Sequence, residues 1–393
     1  MSRNTTAGID IGTHHVKVVI TERSRNEQGR VVPRVIGTGI AESRGLRHGY
    51  IINTNEVTTS VAAALAEAQK ASGVQVEEGY LAIGGISLES LTINGTSTVS
   101  RGDNEISELD LTTVEEACES TIPPAQLQNR RIIHRIPLEY SIDGQQVLGS
   151  PVGLKGMRVD AKFLFITALE PHVSDLVDAV ENAGVEVIDM VAAPIAASMV
   201  SLSKSQKIAG CVLANIGAET VSIAVFENDL PISLETFSLG STDITNDIAL
   251  GLKIPLEEAQ LIKHGERTNT NISRQQLSEI VNARLSDIFE LIETHLKRIK
   301  RNKMLPAGII ITGGGARIAN ISDLAKASLE LPSRVASVEF GKQGPGQIQD
   351  ARWAVAYGIS IYGLSSANAG GRRGQWVKQI IGRFIRWVKQ FLP

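Results

Sequence analysis

Two stretches of the chain repeat one another: GIDIGTHHVKVV from Gly8 to Val19, and VLANIGAETVSIAVF from Val212 to Phe226. Asn215 falls where Asp10 is and Gly217 falls on Gly12, while Val221, Ile223 and Val225 continue the alternation of Val16, Val18 and Ile20. Apolar residues at period two on either side of a Gly turn predict a β-hairpin in each case. The first tip has the chemistry a phosphate needs. Gly12 lets the backbone approach an anion, Thr13 offers a hydroxyl, Lys17 a point charge, and Asp10 an acceptor for water on Mg2+. A pattern that recurs in register predicts two related halves, each contributing a phosphate-facing hairpin.

A third stretch, IIITGGGARIANISDL from Ile309 to Leu324, follows a strand with Gly313, Gly314 and Gly315, and then offers Ser322 as an N-cap with Asp323 in the first turn of a helix. Two hairpins followed by a strand, a triple glycine and a helix resemble the layout of the actin, Hsp70 and sugar-kinase superfamily. The 393 residues suffice for two or more domains with full cores, and 42% hydrophobic with 21% charged residues fits a soluble globular chain. MSRNTT leads straight into the first strand, so no secretory signal is expected, and no run of 18 apolar residues offers a membrane span. Cys118 and Cys211 lack CxxC spacing and read as reduced core thiols.

After the first hairpin, Asn53 with Glu56 caps a helix whose Val57, Val61 and Leu65 share one face, ended by Gly73. His14 and His15, adjacent on a strand, should point to opposite faces and so cannot chelate one ion. From Gly84 to about Leu164 the pattern changes to short strands joined at Asn94-Gly95, a helix opened by Ser107 with Asp110, and a turn at Asp143-Gly144. This reads as an inserted α+β module without a phosphate-loop candidate, of the kind that carries partner contacts.

Here the resemblance narrows. LRHGYI, IPLEYSIDG, PVGLKGMRVD, ENAGVEV, TNDIALGLKIPLEEAQLIKHG and WAVAYGISIYG are similar to segments of the FtsA family of bacterial actin homologues. That implies an α/β, two-lobed actin-like ATPase fold with an SHS2-type insert and a C-terminal amphipathic helix. The division would be a first lobe at 5–83 with 165–192 and 351–364, the insert at 84–164, a second lobe at 193–241 with 305–350, its outer subdomain at 242–304, a linker at 365–374 and the helix at 375–393. The resemblance also implies ATP and Mg2+ as ligands. Asp10 would hold Mg2+ through water, Gly12, Thr13 and Lys17 would contact the β- and γ-phosphates, Asn215 and Gly217 would face them, Gly313, Gly314 and Gly315 would pack under the adenosine, and Gln260 and Lys263 would reach the ribose or base. Asn215 and Gln260 stand where the family pattern has carboxylates, and Ser241 where it has a second Gly. The expectation is a nucleotide switch that is at most a weak ATPase.

Ser273 with Gln276 caps a long helix whose end is basic, at Lys297, Arg298, Lys300, Arg301 and Lys303. The family implies that this subdomain docks the acidic tail of the tubulin-like protein FtsZ through Lys297, Arg298, Lys300 and Arg301. After Gly363 the composition becomes that of a flexible basic linker. Beyond it Trp376, Ile380, Ile381, Phe384, Ile385, Trp387, Val388 and Phe391 recur at helical spacing, with Lys378, Arg383, Arg386 and Lys389 on the flank or opposite face. Seven Lys and Arg residues follow Asp350 and no acid does. Such a helix lies in the headgroup plane of an anionic membrane. Together with the family's properties this implies a peripheral protein of the cytoplasmic face of the bacterial plasma membrane, self-assembling at the division septum, tethering FtsZ filaments and recruiting other division membrane proteins, with no nucleic-acid partner. A type IV pilus platform of the PilM kind and a small-molecule kinase of the superfamily are the alternatives.

Overall fold

Both repeated stretches fold as antiparallel hairpins, and each opens a five-stranded sheet. The structure, a computed structural model, describes residues 5–25, 31–99, 102–266, 273–337 and 350–366. In the first lobe β1 (Thr5–Ile11), β2 (His15–Arg25) and β3 (Val31–Glu42) form a meander, followed by a two-residue hairpin β4 (Leu46–Arg47) and β5 (Tyr50–Ile51), helix α1 (Thr54–Ser72) and β6 (Glu78–Ile83), which returns parallel to β1. Asn53 accepts from the Glu56 amide and Gly73, at φ 69°, closes α1.

The insert contains β7 (Glu89–Thr98), α2 (Glu108–Ser120), α3 (Pro124–Leu127), β8 (Arg130–Ile142), β9 (Gln145–Val147) and β10 (Arg158–Leu169), in a separate sheet of order β7-β10-β8-β9. Asn94-Gly95 does not make the turn expected of it. β7 runs straight through, and Gly95 is needed for packing, because a Cβ there would lie 2.5 Å from Cys118 Sγ on α2. α4 (Glu170–Glu181) and β11 (Glu186–Ala192) complete the first sheet, in the order β11-β6-β1-β2-β3.

The second lobe repeats the plan. Helices α5 (Ala193–Ser201) and α6 (Lys204–Ala209) lead into β12 (Cys211–Ile216), β13 (Val221–Glu227) and β14 (Leu230–Phe237), then α7 (Ser241–Leu252), α8 (Leu256–Lys263) and α9 (Arg274–Arg298). β15 (Ile309–Thr312) runs parallel to β12, α10 (Ile321–Leu329) follows, and β16 (Ser333–Val335) forms the edge. α10 begins at Ile321, whose side chain is buried, so Ser322 sits inside the first turn and Asn320, at φ 60°, takes the cap position.

The chain returns through α11 (Ala354–Ser366), buried along almost its whole length. This helix outlasts the expected end of the fold: Leu364 and Ser366 are still buried. The rest of the linker and the amphipathic segment lie outside the described residues. α11 crosses α5 where a Cβ on Gly358 would lie 1.9 Å from the Ala196 carbonyl oxygen, backbone against backbone with nothing free to yield. Gly358→Val should therefore cost about 3 kcal/mol, the upper part of the overpacking range, in urea unfolding; a loss under about 1 kcal/mol would show that the two helices part easily.

Candidate nucleotide site

The likeness of the two hairpins extends to their hydrogen bonds. Asp10 pairs with Lys17 and Ile11 with Val16; Asn215 pairs with Ser222 and Ile216 with Val221. The Gly12 N–H donates to the His15 carbonyl at 3.2 Å, and the Gly217 N–H to the Thr220 carbonyl at 2.8 Å. Each tip stands beside the end of a parallel strand, β6 in the first lobe and β15 in the second. Both of those strands run out into paired glycines, Gly84-Gly85 and Gly313-Gly314, and Gly85 and Gly313 share φ 89°. At Gly313 a Cβ would stand 2.4 Å from the Asn215 side-chain oxygen, so only glycine fits the close approach.

These parts converge on one cavity of about 210 Å³ between the lobes. Asp10, Gly12, Thr13, Lys17, Asn215, Gly217, Gln260, Lys263, Gly313 and Gly314 all line it. Gly315 does not; it packs behind the wall, where a Cβ would meet the Ile216 side chain at 2.4 Å. Gly49, Gly84, Gly85, Arg317 and Arg352 also line the cavity and were missed by the sequence reading. For Gly84-Gly85 a signal existed: LAIGG repeats the strand-into-glycine pattern of IIITGG, so the stretch after Gly84 does begin with a loop facing the site.

The electrostatics are lopsided. Among the described residues Asp10 is the single carboxylate in the lining, and its Oδ2 accepts from Lys17 Nζ at 2.6 Å, with both side chains largely buried. Lys263 Nζ donates to the Ser241 carbonyl at 3.0 Å and to Thr245 Oγ1 at 2.7 Å, and burial pushes its pKa down to about 8. Thr245 in turn donates to Gln260 Oε1 at 2.8 Å. The α7 N-terminus closes on the second tip, as the Ser241 N–H bonds the Gly217 carbonyl at 3.0 Å and the Thr242 N–H bonds that of Ala218 at 2.8 Å. His14 and His15 are not on opposite faces, because His14 belongs to the turn; the rings lie 4.2 Å apart. Burial lowers both pKa values, His15 to about 4, so both rings are neutral at pH 7. Across the cleft the His48 N–H donates to the Glu219 carboxylate at 2.5 Å, tying the second hairpin tip to the first lobe.

The resemblance implies Mg2+, and the donor set is a poor fit for it. The Asp10 carboxylate is engaged by the Lys17 ammonium, and Asn215, Ser222 and Gln260 bring no charge. Among the described residues no group of three or more His, Cys, Asp or Glu is placed to hold a metal.

The basic end of α9 is an internal staple. Lys297 pairs with Glu293, Arg298 with Glu235 on β14, Arg301 with Glu227 on β13 and Lys303 with Glu330, while Lys300 sits just past the helix at φ 57°. The open basic surface expected there is largely answered by the protein's own acids, which the local charge run did not reveal.

A family model for the cell division protein FtsA matches residues 212–358, and one for the SHS2 domain inserted in FTSA matches 85–167. Cell division protein FtsA of Borreliella burgdorferi is 30% identical over 386 residues, covering 92% of this chain and 91% of that protein. The chain belongs to the FtsA family. The FtsA proteins of Pseudomonas aeruginosa and Bacillus subtilis are each 28% identical, over 92% and 93% of this chain and 90% and 84% of their own lengths. Among solved structures, a chain of the PilM-PilN type IV pilus biogenesis complex superposes with a TM-score of 0.66 at 17% identity, covering 91% of this chain and 98% of its own. MreB5 of Spiroplasma citri bound to ADP gives 0.53 at 12%, over 93% and 99%. Those likenesses establish the actin-like fold, while the sequence matches favour FtsA over the pilus platform. Among the described residues of this FtsA-family chain no helix is long and apolar enough to cross a membrane.

Proposed function

We propose that the chain binds ATP between its lobes as a switch for self-assembly, and that segment 375–393 holds the assembly on the cytoplasmic face of the plasma membrane at the division site, where it tethers FtsZ filaments and recruits further division proteins. The convergence of two matched hairpin tips and two glycine pairs on one cavity carries the nucleotide part. Slow or absent turnover fits a site whose one carboxylate among the described residues is committed to Lys17. Any FtsZ contact at the end of α9 would have to compete with Glu235 and Glu227 for Arg298 and Arg301.

Calorimetric titration with ATP tests the nucleotide reading, and its pH dependence tests the place of Lys263. A bound polyphosphate favours the ammonium form, so above pH 8 the free site must take up a proton to bind. Affinity should fall about tenfold between pH 7 and pH 9. A flat profile would mean that the phosphates lie away from Lys263, and absence of binding would overturn the nucleotide reading.

A further inference from the structure

The register of the two hairpins exposes an asymmetry in charge. Asp10 faces Lys17 across the first, and the same two positions in the second hold Asn215 and Ser222, both neutral. The facing tips therefore offer one negative charge, and Lys17 cancels it at 2.6 Å, with the two side chains only 11% and 13% exposed. A divalent cation drawing on Asp10 through water would have to share that carboxylate with an ammonium already in contact. Around them Lys263 donates to a carbonyl and a hydroxyl, and Arg317 enters from the turn that follows Gly313-Gly314; among the described residues no carboxylate of the lining answers either. Arg352 is paired outside the cavity with Asp350. The wall thus supplies a surplus of fixed cations, including a guanidinium suited to bidentate contact with phosphate oxygens.

Resting on the nucleotide reading, we infer that this site holds a nucleoside triphosphate without a divalent cation, its polyphosphate charge balanced by Lys263 and Arg317 while Lys17 stays shared with Asp10. Side-chain cations take over the neutralising part that a metal plays where carboxylates face the phosphates. Asn215 is the determining residue: an Asp there would sit against Gly313 with the same shape and add the missing charge.

The experiment is calorimetric titration of the full chain with ATP in excess Mg2+ and in excess EDTA. The expected affinities agree within about threefold, and Asn215→Asp, close in shape, should bind at least about tenfold more tightly with Mg2+ than with EDTA. Arg317→Gln should weaken binding in EDTA by about tenfold or more. A wild-type chain whose binding is lost or weakened about tenfold in EDTA overturns the inference and leaves the nucleotide reading standing. No binding in either condition overturns both. The wild-type pair of titrations decides the matter even where a variant fails to fold.

Discussion

Lys17→Met should abolish ATP binding and lower stability by about 3 to 5 kcal/mol, the loss found when one partner of a buried ion pair is removed. Asp10 and Lys17 are each 9% exposed and stand opposite one another in register, so the variant strands a carboxylate under the hairpin tip. The double variant Asp10→Asn with Lys17→Met separates the two effects. Replacing both members of a pair by neutral groups of similar shape is close to neutral, so most of the stability should return. Nucleotide affinity should stay lost, because the ammonium proposed to contact phosphate is still missing. Urea unfolding and ATP calorimetry on the three proteins read these outcomes; a single variant as stable as the parent would show that solvent already screens the pair, and restored ATP binding in the double variant would remove Lys17 from the phosphate site.

Deleting 375–393 should move the protein from vesicle-bound to free while leaving its unfolding midpoint and ATP affinity unchanged. The segment places Trp376, Ile380, Phe384, Trp387 and Phe391 at three- and four-residue steps, and its charges are all cationic. Apolar burial drives insertion into the interface, and each cation near an anionic surface adds on the order of 1 kcal/mol, a contribution that salt removes. A glycine at 382 would disfavour a helix in water by about 1 kcal/mol, as expected of a segment that folds on the membrane. One such helix binds reversibly, and assembly would multiply the anchors, so ATP should increase the bound fraction. Co-sedimentation with anionic vesicles, with and without ATP and at low and high salt, checks each part. Pelleting of the truncated chain would refute the role of the tail, and failure of the full chain to pellet would make the segment a protein-docking helix.

The hairpins were legible in the sequence because a strand's alternation and a turn's glycine are local requirements, met within a dozen residues. Caps of the Asn53-Glu56, Ser107-Asp110 and Ser273-Gln276 kind were legible for the same reason, each being a contact across one helical turn. Gly95 was misread because the same residue type serves two ends: a turn needs its backbone freedom, while β7 needs its missing side chain for Cys118 to approach. Gly84-Gly85 carries a local signal in the likeness of LAIGG to IIITGG, but that it faces the site follows only from β6 lying beside β1 as β15 lies beside β12.

By itself, then, the sequence determined the repeated hairpins, the alternation of buried and exposed faces and the family, since each is written in residue spacing; the amphipathic end at 375–393 is an expectation of the same kind that lies outside the described residues. Tertiary structure alone decided which charges meet. Arg298 and Arg301 find Glu235 and Glu227 from 63 and 74 positions away, Glu219 reaches His48 across 171, and Lys263 and Arg317 arrive at a cavity whose one acid among the described residues is already paired with Lys17. Such pairings depend on how whole elements pack, and the period of a strand or helix carries no record of what the next element will bring against it.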